Sequence, residues 1–187
     1  MPILPAEPEL YPPDLWTRPG GPSMDRPWWC LHTRPRQEKA VARALRELGL
    51  TFYLPLVLQE TRTPAGRRLR SCVPLFGGYV FLQGDDAARR EALATHRLAQ
   101  ALPVPDPATL VADLTQVARM LRSGEPVVPE PTHPAGTRVR IATGPLTGLV
   151  GVVLRRGAGD RFVAVVRLLG IGAAIDLRDW QVEPAGP

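Results

Sequence analysis

The stretch Trp28-Trp29-Cys30-Leu31-His32-Thr33-Arg34-Pro35-Arg36-Gln37-Glu38-Lys39-Ala40 changes character halfway, and that change decides the fold. Its first six residues are aromatic or apolar and run into the turn signal at Arg34-Pro35, which predicts a strand. From Arg36 the apolar residues recur at spacings of three and four, at Ala40, Val41, Ala44, Leu45 and Leu48, with Gly49 as a stop. This is the pattern of an amphipathic helix. Arg36, Lys39, Arg43 and Arg46 fall on its outer face.

Outward from this unit, Thr51–Thr63 reads as a second strand, and Arg68–Val73 and Tyr79–Gln83 as further strand pieces. Pro64-Ala65-Gly66 makes the turn of a hairpin flanked by Arg62, Arg67, Arg68 and Arg70. Asp85 opens a second helix, where Asp85 and Asp86 suit the positive end of the helix dipole. Leu98–Val104 is expected to be a short strand and Thr109–Leu121 a third helix. That element order predicts an α+β fold, an antiparallel-rich sheet flanked by helices.

Beyond residue 134 the pattern is different. Arg138–Ile141, Gly148–Leu154, Phe162–Leu168, Ala174–Leu177 and Trp180–Val182 are short strands divided by Gly, Asp and Pro. Five short strands predict a small closed barrel, because closure removes unpaired edges. Its core is expected to use Val139, Ile141, Val150, Val152, Val163, Val165 and Ile175. Eight prolines lie within residues 1–27, so the arm 1–26 is expected to be disordered or polyproline-like. Four more lie between Arg122 and Pro134, which predicts a semi-stiff linker over residues 122–134. The domains are therefore drawn as 27–121 and 135–187.

The 187 residues carry a net charge of +5, but residues 27–83 alone carry +6. All basic residues except Lys39 are arginine. A local excess of this size points to an acidic partner, most simply nucleic acid. No apolar run approaches the roughly 20 residues of a membrane span, and Met1–Glu7 lacks the basic cluster and apolar core of a secretory signal. A cytoplasmic protein without a membrane role is expected, with Cys30 and Cys72 as small buried thiols. His32, His96 and His133 stand in three unrelated contexts, and no metal-ligand spacing, nucleophile elbow or phosphate loop is present. Gly170-Ile171-Gly172-Ala173-Ala174-Ile175 begins like a dinucleotide fingerprint, but Ile175 replaces its third glycine and no helix follows. No catalysis, metal or cofactor is expected.

The Trp28–Ala40 stretch, taken with Pro74-Leu75-Phe76-Gly77-Gly78-Tyr79-Val80-Phe81, resembles the N-terminal domain of the NusG family of transcription elongation factors. Gly136–Val153 resembles the family's KOW motif, with Gly151 at the hallmark glycine, and Val165–Gly170 and Val182-Glu183 fit the rest of that module. The resemblance covers residues 27–185. Leu54-Pro55-Leu56 and the arginine-flanked hairpin up to Phe76 look closer to the specialised RfaH or UpxY branch. Gly77 stands where the family usually has proline, and His96-Arg97 is the nearest counterpart of the threonine-rich loop of RfaH.

The resemblance implies an N-terminal domain that grips RNA polymerase through an aromatic depression, here Trp28, His32, Leu54, Leu75, Phe76, Tyr79 and Phe81. Strand alternation puts Trp28, Cys30 and His32 on one face and Trp29, Leu31 and Thr33 on the other. Arg34, Arg36, Lys39 and Arg43, with Arg67, Arg68 and Arg70 of the hairpin, would contact phosphates of upstream or non-template DNA. Leu168, Leu169, Gly170 and Ile171 would form the loop that meets a small-subunit ribosomal protein or the termination factor Rho. Such a factor is expected to act as a monomer. The alternative is an RNA- or ribosome-binding KOW protein with no polymerase role. The glycines and valines of residues 135–187 disfavour the helical form that this module adopts in RfaH.

Overall fold

In the computed structural model the quoted stretch forms β2 (Trp28–Thr33) and α1 (Glu38–Glu47), so the change of period is real. The structure describes residues 8–62, 64, 66–130, 136–156, 159–176 and 182–185. The helix starts later than Arg36 because Arg36 sits at φ +62°, a left-handed conformation that no helix accommodates. The expected strand Thr51–Thr63 is two strands, β3 (Thr51–Tyr53) and β4 (Leu56–Arg62); Thr63 lies outside the described residues. The break falls at Pro55, which has no N–H for a ladder, and its carbonyl accepts from the Leu75 N–H at 2.8 Å.

β4 pairs with β5 (Arg68–Pro74) as a separate two-stranded hairpin, from Leu56 opposite Pro74 to Arg62 opposite Arg68. Ala65 of its expected turn lies outside the described residues. Next come β6 (Tyr79–Gln83), α2 (Asp86–Ala94) and β7 (Leu98–Pro103). Asp85 caps α2, its carboxylate accepting from the Ala88 N–H at 3.0 Å. Arg89 donates a hydrogen bond to Asp86, and together with the charges of Arg89 and Arg90 this holds the Asp86 carboxyl below its usual range.

The chain divides into two compact units, Met1–Pro107 and Ala108–Pro187. The first is built on a five-stranded sheet of order β1-β3-β6-β2-β7, in which β1 is Leu10–Tyr11. One face of this sheet presents Leu31, Phe52, Val80 and Leu82 to Val41, Ala42 and Leu45 of α1 and Ala92 of α2. The other face carries the row Trp28, Cys30, His32 opposite Gln83, Phe81, Tyr79.

The arm departs from expectation. Residues 8–26 are ordered on the sheet, whereas residues 1–7 lie outside the described residues. β1 pairs antiparallel with β3, the Leu54 N–H donates to the Glu9 carbonyl at 2.6 Å, and Leu15 is fully buried. Trp16 meets the Tyr53 ring edge-on at 4.9 Å. Proline count misled because prolines also narrow the unfolded ensemble, so Leu10, Tyr11, Leu15 and Trp16 can repay the smaller ordering entropy by burial.

The second unit comprises the body of α3 (Pro107–Arg122), then β8 (Val128–Glu130), β9 (Thr137–Ile141), β10 (Val150–Arg156), β11 (Gly159–Val166), β12 (Ile171–Asp176) and β13 (Val182–Pro184). Its sheet is antiparallel, of order β13-β9-β10-β11-β12-β8. Two expectations meet this division. First, α3, expected with the N-terminal domain, falls in the second compact unit, where Asp113, Gln116 and Arg119, three apart on one helix face, bond to that unit's sheet and loops. Asp113 takes the Arg167 backbone N–H at 3.0 Å and its guanidinium at 2.8 Å; Gln116 accepts from the Val150 N–H at 2.8 Å; Arg119 donates to the Thr147 carbonyl at 2.9 Å. Second, part of the expected linker is β8, with Glu130 opposite Gly172 and 2% exposed. Residues 131–135 of that linker, and Leu177, Trp180 and Gln181 of the expected strands, lie outside the described residues.

Val139, Ile141, Val163 and Ile175 are core as expected, while Val150, Val152 and Val165 are half-buried. These three line a groove of about 320 Å³ with Asp113, Gln116, Arg138 and Arg167. Gly151 is required by close approach: a Cβ there would strike the Val163 carbonyl and lie 2.6 Å from the Phe162 ring.

Candidate functional site

Five of the seven aromatic-depression candidates are buried. Trp28 is 1% exposed, Phe76 1%, Leu75 2%, and Leu54 and Phe81 are fully buried. Leu54 is also on the wrong side, packed with Leu31 and Val80 in the helix-facing cluster. The cause is strand alternation: Leu54 lies two residues after Phe52, on the face that packs against the helices, while Tyr53 between them faces the other way. Phe76 and Phe81 meet edge-to-face at 6.4 Å, which is core packing on the opposite face.

The two remaining candidates, His32 and Tyr79, are half-buried and stack at 5.3 Å with 24° between ring planes. The Gly78 turn places them. Gly78 has φ +85°, donates its N–H to the Glu38 carboxylate at 2.7 Å and accepts from the Thr33 N–H at 2.8 Å. One residue thereby ties together the end of β2, the first turn of α1 and the start of β6. A Cβ at Gly77 would have open space around it, so the departure from the family's proline creates no steric gap to fill.

The basic candidates form two groups on different elements. Arg34, Arg36 and Arg43 are exposed and Lys39 half-buried, around the β2–α1 loop and the first turns of α1. Arg97 joins the first group, a place that its position in the sequence does not announce. Its carbonyl accepts from the Arg34 N–H at 2.9 Å, and its guanidinium donates to Gln37 at 3.0 Å. No local signal announces this, since β7 reaches β2 only through tertiary pairing. Arg36 and His96 are the non-glycine residues with positive φ among the described residues, and they flank this junction. Arg67, Arg68 and Arg70 are exposed on the hairpin, where Arg70 is engaged by Glu60 at 2.6 Å.

The loop Leu168–Ile171 forms the turn between β11 and β12. Leu168 is 38% exposed, Leu169, Gly170 and Ile171 are half-buried, and the Leu169 and Gly170 N–H groups close onto the Val166 carbonyl. Arg167, beside the loop, is the residue clasped by Asp113.

Neither cysteine joins a site. Cys30 is buried, which pushes its thiol from 9.0 up to about 12 and leaves it inert as a nucleophile. Cys72 is exposed, contrary to expectation, because it lies on the outer face of the hairpin beside its register partner Leu58, which is itself exposed. Among the described residues no cluster of His, Cys, Asp and Glu could hold a metal, and no helix is long and apolar enough to cross a membrane.

Comparison with curated proteins gives no match. The family model described as transcription termination factor nusG matches residues 26–132. That span begins just before Trp28 and contains β2, α1, the hairpin, the Gly78 turn and both basic groups, so sequence pattern and site geometry meet in one assignment. The chain belongs to the NusG family of transcription factors, which act in elongation or termination.

Proposed function

We propose that this protein is an elongation or antitermination factor of the RfaH or UpxY kind, which holds RNA polymerase through its first unit and a second partner through its second. The observation that carries the reading is the family match over 26–132, because it spans the open His32–Tyr79 stack together with Arg34, Arg36 and Arg97. A half-buried aromatic pair with exposed arginines on the adjoining β2–α1 loop suits a protein surface lying next to nucleic acid. Docking on polymerase would favour its closed clamp by differential affinity, so pausing is suppressed without covalent chemistry. Phosphate contacts from the arginines would set position on upstream or non-template DNA without reading sequence.

In the second unit, the antiparallel strands and the close approach at Gly151 support a KOW barrel. Its Leu168–Ile171 turn would receive a small-subunit ribosomal protein or Rho, and Leu168 offers the apolar contact. The factor would work in the cytoplasm as a monomer.

The test is binding of the full chain to purified polymerase in elongation complexes. His32→Ala and Tyr79→Ala should each weaken binding by about tenfold or more. Unchanged affinity in folded variants would remove the stack from the interface. Binding to ribosomes or RNA with no affinity for polymerase would instead establish the RNA-binding alternative.

A further inference from the structure

We propose that the N-terminal arm is a built-in competitor for the aromatic face of the first unit, covering its Trp28 end and lifting away when polymerase docks. The proposal rests on the polymerase reading above and adds a regulatory layer to the same surface. The arm lies on the row of candidate contact residues. The Ser23 carbonyl accepts from Trp28 Nε1 at 3.4 Å and from Gln83 Nε2 at 2.6 Å, and these two residues face each other at the end of the row. Trp16 rests on Tyr53, which is the register partner of Phe81. The covered end is thus Trp28, Gln83 and Tyr53, while the uncovered end is the His32–Tyr79 stack. A partner that first meets the stack can extend its contact only by displacing the arm.

Three features make the arm releasable. Its backbone hydrogen bonds are largely its own: Leu15 to Pro12, Thr17 and Arg18 to Asp14, and Gly21 to Arg18, so the segment can leave as a folded piece. Its pairing with the sheet is the short strand β1 at the sheet edge, and its prolines at 12, 13, 19 and 22 have no N–H to offer. Finally, Trp16 Nε1 is buried without a hydrogen-bond partner, a penalty that vanishes once the indole reaches water.

The experiment locks the arm in the full-length chain. Leu10 and Tyr53 are register partners next to the hydrogen-bonded Glu9–Leu54 pair, so they form a non-hydrogen-bonded pair with Cα atoms about 4.5 Å apart, close enough for a disulfide. In a Cys72→Ser background, Leu10→Cys with Tyr53→Cys should bind polymerase about tenfold or more weakly when oxidised than when reduced. Leu15→Asp, which expels the arm's buried anchor, should bind about tenfold more tightly than the parent, with circular dichroism confirming its fold. Equal affinity of the oxidised and reduced forms overturns the competitor role even if Leu15→Asp fails to fold. Polymerase binding by no form at all would overturn the polymerase reading itself, a different outcome from binding that ignores the lock.

Discussion

Phe76 and Tyr79 stand three residues apart in one motif, yet the structure divides their roles. Phe76 is 1% exposed and meets Phe81 edge-on, whereas Tyr79 stacks on His32 at the open end of the row. Phe76→Ala should therefore cost about 3–5 kcal/mol of stability in denaturant unfolding, as for a buried aromatic elsewhere. Tyr79→Ala should cost about 1 kcal/mol or less and act on polymerase affinity instead. A Phe76→Ala protein of unchanged stability would refute the core assignment. Cys30 gives a second test at this scale. Its thiol is held neutral to about 12 in the folded state, while the unfolded thiol ionises near 9.0. The unfolded state thus loses a proton first as pH rises. The contribution of this group to stability is complete below pH 9, then declines towards pH 12. Comparing the parent with Cys30→Ala at pH 8 and at about pH 10.5 isolates this term from other titrations, and the parent should lose the larger share of its stability. Parallel pH profiles would mean the thiol is less buried than the structure has it.

Among the elements, those with strong periodicity were legible in the sequence and those joined by tertiary contacts were not. β2, α1 and the capped start of α2 follow from residue pattern, because a six-residue apolar run, a three-to-four spacing and an N-cap aspartate are local signals. The arm, Arg97 and the placement of α3 were not legible, since each depends on a partner far away in the chain. Leu54 takes the helix-facing side for a local reason: it continues the alternation of β3 two residues after Phe52, so it shares that residue's face and not that of the aromatic row. The two arginine groups invite comparison at this scale. Replacing Arg34, Arg36 and Arg97 with Gln should flatten the dependence of complex affinity on salt by about two to three units of slope. The same change at Arg67, Arg68 and Arg70 should flatten it less, because Arg70 is already engaged by Glu60. Affinity measured across a salt series with elongation complexes would separate them, and identical slopes for all forms would show that both groups are merely solvated.

For the molecule as a whole, the division at residue 107 sets what unfolds with what. Two compact units, each with its own sheet, predict two transitions in calorimetry. The helix α3 is the discriminating element, because sequence grouped it with the first domain and its polar bonds go to the second unit. Asp113 is the centre of that attachment. Its carboxylate is 3% exposed and takes both the backbone N–H and the guanidinium of Arg167. Arg167 is 60% exposed, so much of the ionic attraction is screened by water and the pair is worth less than a fully buried one. The loss on removing the carboxylate is then dominated by the backbone hydrogen bond and the burial left unpaired, about 1–3 kcal/mol. Asp113→Ala should lower the transition assigned to the second unit by several degrees, and leave that of the first unit in place. Hydrogen exchange at the Val150 and Arg167 amides, which Gln116 and Asp113 protect, would identify the transition. Should the first unit's transition move instead, α3 would belong with the N-terminal domain after all, and the clasp to Arg167 would be a contact of little energetic weight.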